Sequence, residues 1–274
     1  MESGLKKRGF RLGTTSFIYP DHIIPNVRQT GRFFDEIELL VFESLPSDVI
    51  PSTDDIRELK LLGEDLNLTY NIHLPVDVSL TAGSAGERQA AADTLKLIYE
   101  RFSPLAPTTH TLHLDMDRNI SGQEEIASWE DRARKGLDLW IPHLDDPETT
   151  CVETLWYDPV HFSGMVKDYG LSVCVDAGHH FKYGYDLSDS FTLFNHRVSL
   201  IHLHGVDFDN PDLKTGRPKD HQGLDRLPET MLDRVIAWLE TYSGTVSLEV
   251  FNLKNLSSSL VTLGRFFGNI PCLP

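Results

Sequence analysis

Val173-Cys174-Val175-Asp176-Ala177-Gly178-His179-His180 joins a run of small and β-branched apolar residues to an aspartate and, three positions on, a histidine. The run reads as a short buried β-strand. Its polar pair falls just past the carboxyl end, in a turn opened by Gly178. A carboxylate and an imidazole so placed suit metal binding or acid–base chemistry better than packing. The same event recurs along the chain, an apolar strand followed by His or Glu at its end.

Working outward, strands are predicted at 11–16, 36–42, 68–73, 109–114, 150–154, 171–176, 198–203 and 245–250. Helical patterns lie between them at 54–65, 87–101, 124–139, 158–169, 228–241 and 256–267. In 87–101, Ala91, Leu95 and Ile98 share one face, with Glu87, Arg88, Lys96 and Glu100 on the polar side. Thr53-Asp54-Asp55 and Pro228-Glu229 read as helix starts, with acids in the first turn. Eight strands alternating with helices point to an α/β protein built as a (β/α)8 TIM barrel. The rival, an open doubly wound sheet, lacks its Gly-x-Gly-x-x-Gly turn. No linker, repeat or low-complexity tract divides the chain, so a single domain over 1–274 is expected. The long polar stretch 206–227 follows the seventh strand, on the face where barrel enzymes keep their chemistry.

Acidic residues outnumber basic ones 41 to 25, a formal charge of −16. That balance disfavours a nucleic-acid surface, which needs Lys and Arg to displace counterions. Bound divalent cations would offset part of it. Cys151, Cys174 and Cys272 are too few and scattered for a disulfide framework or thiolate zinc site. Cys151 and Cys174 sit inside apolar strands and read as small buried hydrophobes. Met1–Arg8 has charge but no apolar stretch behind it, and no run approaches membrane-spanning length. A soluble, cytoplasmic protein without a membrane partner is expected.

Barrel closure would bring the strand ends onto one axis. They carry His73, His113, Glu153, Asp176 with His179, then His202 and His204 with His221 in the following loop, and Glu249. Nitrogen and oxygen donors without thiolates suit Zn²⁺, Mn²⁺ or Fe²⁺ and fit Ca²⁺ poorly. Alternation puts His202 and His204 on the same face, so periodicity does not choose between them. Asp115, Asp117 and Asp207 are candidates to orient a ligating imidazole. His22, His110, His143, His161, His180 and His196 are read as structural or solvent-exposed. Thr14–Pro20, with Tyr19, either lines a substrate pocket or caps the first turn. Trp156 and Tyr157 either wall a substrate or pack. Lys214, Arg217, Lys219 and Arg226 form a local basic cluster, with Arg217 a candidate substrate contact. No nucleophile elbow, P-loop or HExxH helix is present.

The order of these strand-end residues resembles the xylose-isomerase-like barrel superfamily, which includes sugar isomerases, epimerases and the endonuclease IV family. The resemblance implies a metal set of Glu153, Asp176, His204 and Glu249, with His204 chosen through a His-x-x-Asp pattern completed by Asp207. The extra imidazoles resemble the endonuclease IV branch, which hydrolyses phosphodiesters with up to three ions. By that similarity one ion sits on His73, His113 and Glu153, and a second on Glu153, Asp176, His204 and Glu249. A third would use His179, His221 and an Asp two residues before His221. This chain has Lys219 there, and Asp220 is one position out of register.

Arg11–Pro20, Ile24–Val27 and Ile37–Glu43 are further similar to the cobamide-remodelling phosphodiesterases of the superfamily. The function expected is therefore a metal-dependent phosphodiesterase with Glu153 and Glu249 as catalytic carboxylates. Its substrate would be a small molecule, a corrinoid before a phosphorylated or sugar compound. The alternatives are a sugar isomerase or epimerase using a single ion, and a catalytically silent ligand-binding barrel. Cleavage of abasic DNA ranks last on charge.

Overall fold

A computed structural model describes residues 5–44 and 50–273. Eight parallel strands close into a barrel: β1 Arg11–Thr15, β2 Glu36–Leu40, β3 Thr69–His73, β4 His110–Leu112, β5 Thr150–Glu153, β6 Ser172–Asp176, β7 Val198–Leu203 and β8 Thr245–Leu248. β8 pairs with β1 (Val246 opposite Leu12) and with β7 (Val246 opposite Ile201), which completes the ring. Every expected strand is present, shortened by up to three residues where the chain leaves the barrel.

The helices are α1 Ile23–Thr30, α2 Thr53–Leu66, α3 Ala85–Phe102, α4 Gln123–Trp140, α5 Val160–Asp168, α6 Ala177–Tyr183, α7 Leu187–Phe194, α8 Glu229–Leu239 and α9 Leu253–Leu263. α3 buries Ala91, Leu95 and Ile98 as its periodicity requires. Its start is a capping box, in which Ser84 and Glu87 satisfy each other's backbone N–H groups. Arg88 corrects the expectation of a solvated polar face. It is buried, and its guanidinium donates to the Ala82 and Gly83 carbonyls ahead of the helix. Ser52, rather than the Thr53-Asp54-Asp55 run itself, caps α2 through a second capping box with Asp55.

α1, α6 and α7 were not expected as helices. All are short, and Pro25 in α1 and Gly178 in α6 disguise the pattern. Asp176 and His179 therefore do not flank a turn. Asp176 is the N-cap of α6 and accepts from the His179 amide at 2.7 Å. The stretch 206–227 also holds more order than a loop, because Gly205–Asp207 pairs antiparallel with Lys219–Gln222.

Alternation along the strands sorts two environments. Leu12, Ile37, Leu39, Ile72, Val152, Val173, Val175, Ile201 and Val246 join the apolar layer under the helices. The barrel interior is largely polar, where branched aliphatic layers are usual in this architecture. At its base the buried Glu36 accepts from Asn71, Thr69 and Thr108 at 2.7–2.9 Å, which meets the cost of placing a carboxylate there. Cys151, Cys174 and Leu200 form a small apolar plug, both thiols free and fully buried. Above the plug lies the ring of histidines and carboxylates.

Candidate metal centre

Glu153, at the end of β5, is the hub. Its Oε2 lies 2.9 Å from His113 Nε2 and 3.3 Å from His73 Nε2. Its Oε1 lies 3.5 Å from His179 Nδ1 and 3.7 Å from His202 Nδ1. Burial opposes ionisation, but the His113 and His202 imidazoles outweigh it and hold the Glu153 carboxyl well below its usual range. The same contest favours charge on the His73 ring. Burial disfavours a charged His73, yet Glu153, Glu38 and Glu249 hold its pKa up at about 9.

Asp176 faces His204 Nε2 at 3.1 Å and His179 Nδ1 at 3.2 Å. His204 is likewise raised to about 9, Asp176 overcoming its burial. Its ring rests directly on α6: a Cβ at Gly178 would sit 2.0 Å from His204 Cε1, so only glycine permits this contact. His221 completes the group in a left-handed conformation (φ 51°), uncommon for a non-glycine residue and a form of backbone strain concentrated at functional sites. Its ring centroid is 4.3 Å from that of His204.

Three donor clusters result, each with candidate ligand atoms within 4.8 Å of one another: His73, His113 and Glu153; Glu153, Asp176, His202 and Glu249; and His179, His204 and His221. All eight expected metal residues are thus in one site. His202 joins the carboxylate group in the place expected for His204, which stands with the other two histidines. Asp220 faces His179 Nε2 at 3.9 Å but pairs with Lys182 and stands outside the third group, and the Lys219 side chain is exposed.

His202 has a buried partner that strand alternation does not reveal. Its Nε2 is 2.8 Å from Glu38 Oε1, across the barrel on β2, while Ser247 on β8 donates to Glu38 Oε2 at 2.8 Å. With Nε2–H donating to Glu38, Nδ1 is left facing Glu249 at 3.2 Å. His202 Nδ1 and Glu249 Oε2 are buried, and neither has a hydrogen-bond partner. Two orphaned donor atoms side by side in a buried site are what a cation would satisfy. His204 is less free, since its Nδ1 faces both the His221 amide at 3.0 Å and the Gly205 carbonyl at 3.1 Å. A charged residue repeated at 36 and 38 inside an apolar strand was the available signal for Glu38.

Several expected residues stand elsewhere. Asp117 binds Asn119 and Asp207 binds Asn210, so neither orients an imidazole. Asp115 lies 3.9 Å from His113 Nδ1, beyond hydrogen-bond reach. Thr14 and Thr15 donate to the Leu248 and Val250 carbonyls, capping the strand, and Tyr19 packs against the core. Ser16 and Phe17 instead line a largely apolar cavity of about 750 Å³ with Ile24, Leu40 and Phe42, its lining also including Asp21, Glu43 and Asp55. The Phe42 ring lies 6.4 Å from that of His73, so the cavity borders the centre. Trp156 is half-buried against the core, with the Arg118 guanidinium 4.3 Å over its ring. Of the expected basic cluster, Arg217 reaches the Tyr183 ring at 5.8 Å, while Arg226 turns toward Asp207 and Asp225.

Residues 24–262 match the xylose isomerase-like TIM barrel family. The chain belongs to that family. No curated protein sequence matches it significantly. Among solved structures, a D-tagatose 3-epimerase-like protein superposes with a TM-score of 0.72 at 15% identity, covering 94% of this chain and 97% of that one. The IOLI protein with a bound zinc atom gives 0.70 at 13% identity, covering 94% and 100%. A probable 3-DHS dehydratase, AsbF of Bacillus anthracis, gives 0.67 at 17% identity, covering 93% and 99%. At these identities the likeness establishes a shared fold. Among the described residues, no helix is long and apolar enough to cross a membrane.

Proposed function

We propose that this family member is a metal-dependent hydrolase that cleaves a phosphodiester in a small or medium organic substrate, a cobamide first among them. The observation that carries the reading is the continuity of the three donor clusters through Glu153 and Asp176, more nitrogen ligands than a single ion needs. His73, His113 and Glu153 would hold one ion, and Glu153, Asp176 and Glu249 with His202 or His204 a second. When bound, such ions supply Lewis acidity to a phosphoryl oxygen.

The chain's own groups do the rest. Glu153 stays ionised between its imidazoles. Burial works against charge on Glu249, but His202 and His221 outweigh it and keep its carboxyl low, leaving Oε2 free to take up a proton from the attacking water. Water oxygen would join phosphorus as the P–O bond to the ester oxygen breaks, the departing alkoxide taking up a proton from solvent. The largely apolar cavity beside Phe42 suits the body of an organic substrate better than a nucleic-acid backbone. It is lined in part by the stretch that resembles the cobamide enzymes.

A second reading has its own support. The solved structures of like fold include a D-tagatose 3-epimerase-like protein and other sugar epimerases, and these comparisons favour a sugar isomerase or epimerase over the hydrolase. There Glu153 and Glu249 would move a proton across a carbon acid beside a single ion. Metal content per chain, measured with adenosylcobalamin hydrolysis and keto-sugar epimerisation on the same sample, separates the two. Two or more ions with release of a cobinamide phosphate support the hydrolase. One ion with sugar interconversion removes it.

A further inference from the structure

At the rim of the centre, three cations from three separate segments converge on one aromatic ring. Arg118 follows β4, Lys182 lies in α6, and Arg217 belongs to the segment joining the short strands Gly205–Asp207 and Lys219–Gln222. Their charged groups stand 5.7, 5.5 and 5.8 Å from the Tyr183 ring centroid. The Arg118 guanidinium also stacks on Trp156 at 4.3 Å and reaches the Tyr183 hydroxyl at 3.4 Å. Tyr183 is next to the metal centre, its ring 6.1 Å from that of His179.

Lys182 has a partner in Asp220, whereas Arg118 and Arg217 make no ion pair among the described residues, although the Asp115 carboxylate lies near enough to Arg118 to feel its charge. In a chain of net charge −16, carboxylates are plentiful, yet neither guanidinium at this ring is paired with one. Their grouping calls for an anion. Arg118 is preorganised by its stack, so its planar fork is held ready for an oxyanion. The Trp156 indole N–H beneath it is buried without an acceptor, a further unmet donor on the same platform.

We propose that Arg118 and Arg217, on the Tyr183–Trp156 platform, form a subsite for an oxyanion of the substrate, a phosphate or carboxylate, which in a cobamide is the nucleotide-loop phosphodiester itself. The inference rests on the reading of this face as an enzyme's active face and narrows the substrate class: the molecule processed is anionic, and neutral free sugars are not its substrates.

The test uses the full chain freed of metal by chelation, titrated with inorganic phosphate and, separately, acetate, by tryptophan fluorescence and calorimetry. The imidazoles of the metal-free centre also attract anions, so the readout is the difference between the native chain and R118A/R217A. Both arginines are exposed, and a native circular dichroism spectrum in the variant checks the fold. Phosphate affinity is expected to fall at least tenfold in R118A/R217A and to recover in part in R118K/R217K, which keep charge but lose the fork. Tighter binding of phosphate than acetate assigns the subsite to a phosphoryl group, and the reverse to a carboxylate. Equal affinity in native chain and double variant overturns the subsite, as does absence of saturable binding by the native chain. If the subsite binds phosphate but the metal-loaded protein cleaves no phosphodiester, the hydrolase reading fails and the subsite stands. If a phosphodiester is cleaved with KM unchanged in R118A/R217A, the subsite fails and the hydrolase stands.

Discussion

Glu153 meets four imidazoles, and two clusters share it, so its loss should act on both. E153Q is expected to lose at least one bound ion per chain in metal analysis and to abolish turnover, and to lower the metal-free melting temperature, because the buried imidazoles lose their counter-charge. Retained turnover in both E153Q and E249Q would remove these carboxylates from the mechanism. Glu38 acts one step further out. E38A leaves a buried imidazole N–H without its acceptor, at a cost of about 1–3 kcal/mol. Because it also frees the His202 ring, metal affinity measured calorimetrically should fall about 10–100-fold. G178A forces a methyl group into the His204 ring and should lose stability by about 1–3 kcal/mol in urea unfolding together with metal. His110, on β4, tests burial alone. Removal from water pushes its pKa down to about 4, and both ring nitrogens lack side-chain partners. The unfolded chain binds this proton below about 6.5 while the folded one refuses it until about 4, so stability is lost as pH falls across that window, by about 3 kcal/mol. H110F, which keeps the contact with Tyr99, should flatten the slope; an unchanged slope would show that His110 is not its source.

At the scale of elements, the helices owe their starts to local capping and their positions to one apolar face. Ser84 and Ser52 each close a capping box, and S84A should cost about 1 kcal/mol, read as a lower urea midpoint with unchanged m-value. α6 has a different task. Its N-cap is the metal-site Asp176 and its last residue is Tyr183, so a helix of two turns links the centre to the cationic rim. The antiparallel pair Gly205–Asp207 and Lys219–Gln222 brings His221 to His204, closing the third cluster. Sequence patterning could not show this, because its strands are short, polar and paired across a long connection.

For the whole molecule, the buried charges explain how the metal-free barrel stands. His73, His202 and His204, whose charged forms the carboxylates favour, take the role of counter-ions that a bound cation would assume. Metal and protons therefore compete for His73 and His204. Because both are raised to about 9, apparent metal affinity should climb as pH rises toward that value and fall at lower pH, with protons released on binding. Calorimetry in buffers of different ionisation enthalpy measures the release, and affinity independent of pH across neutral and mildly alkaline conditions would contradict it. Metal should also raise the melting temperature of the whole barrel, and chelation should lower it, since the ligands come from β3 to β8 and their following loops.

Local patterning determined the eight strands, six of the helices and the presence of His or Glu at the strand ends. A strand's alternation and a helix's periodicity are properties of neighbouring residues, so they can be read without knowing what packs on them. Charge inside an apolar strand is costly enough that Glu153 and Asp176 stood out for the same reason. Closure of the barrel decided what followed. His202 and His204 share a face in sequence, yet only cross-barrel Glu38, α6 and the approach of His221 separate their surroundings. Arg118, Lys182 and Arg217 lie 64 and 35 residues apart along the chain and meet solely because three strand ends converge on one rim. Those contacts depend on the register and curvature of strands distant in sequence, and no local pattern encodes them.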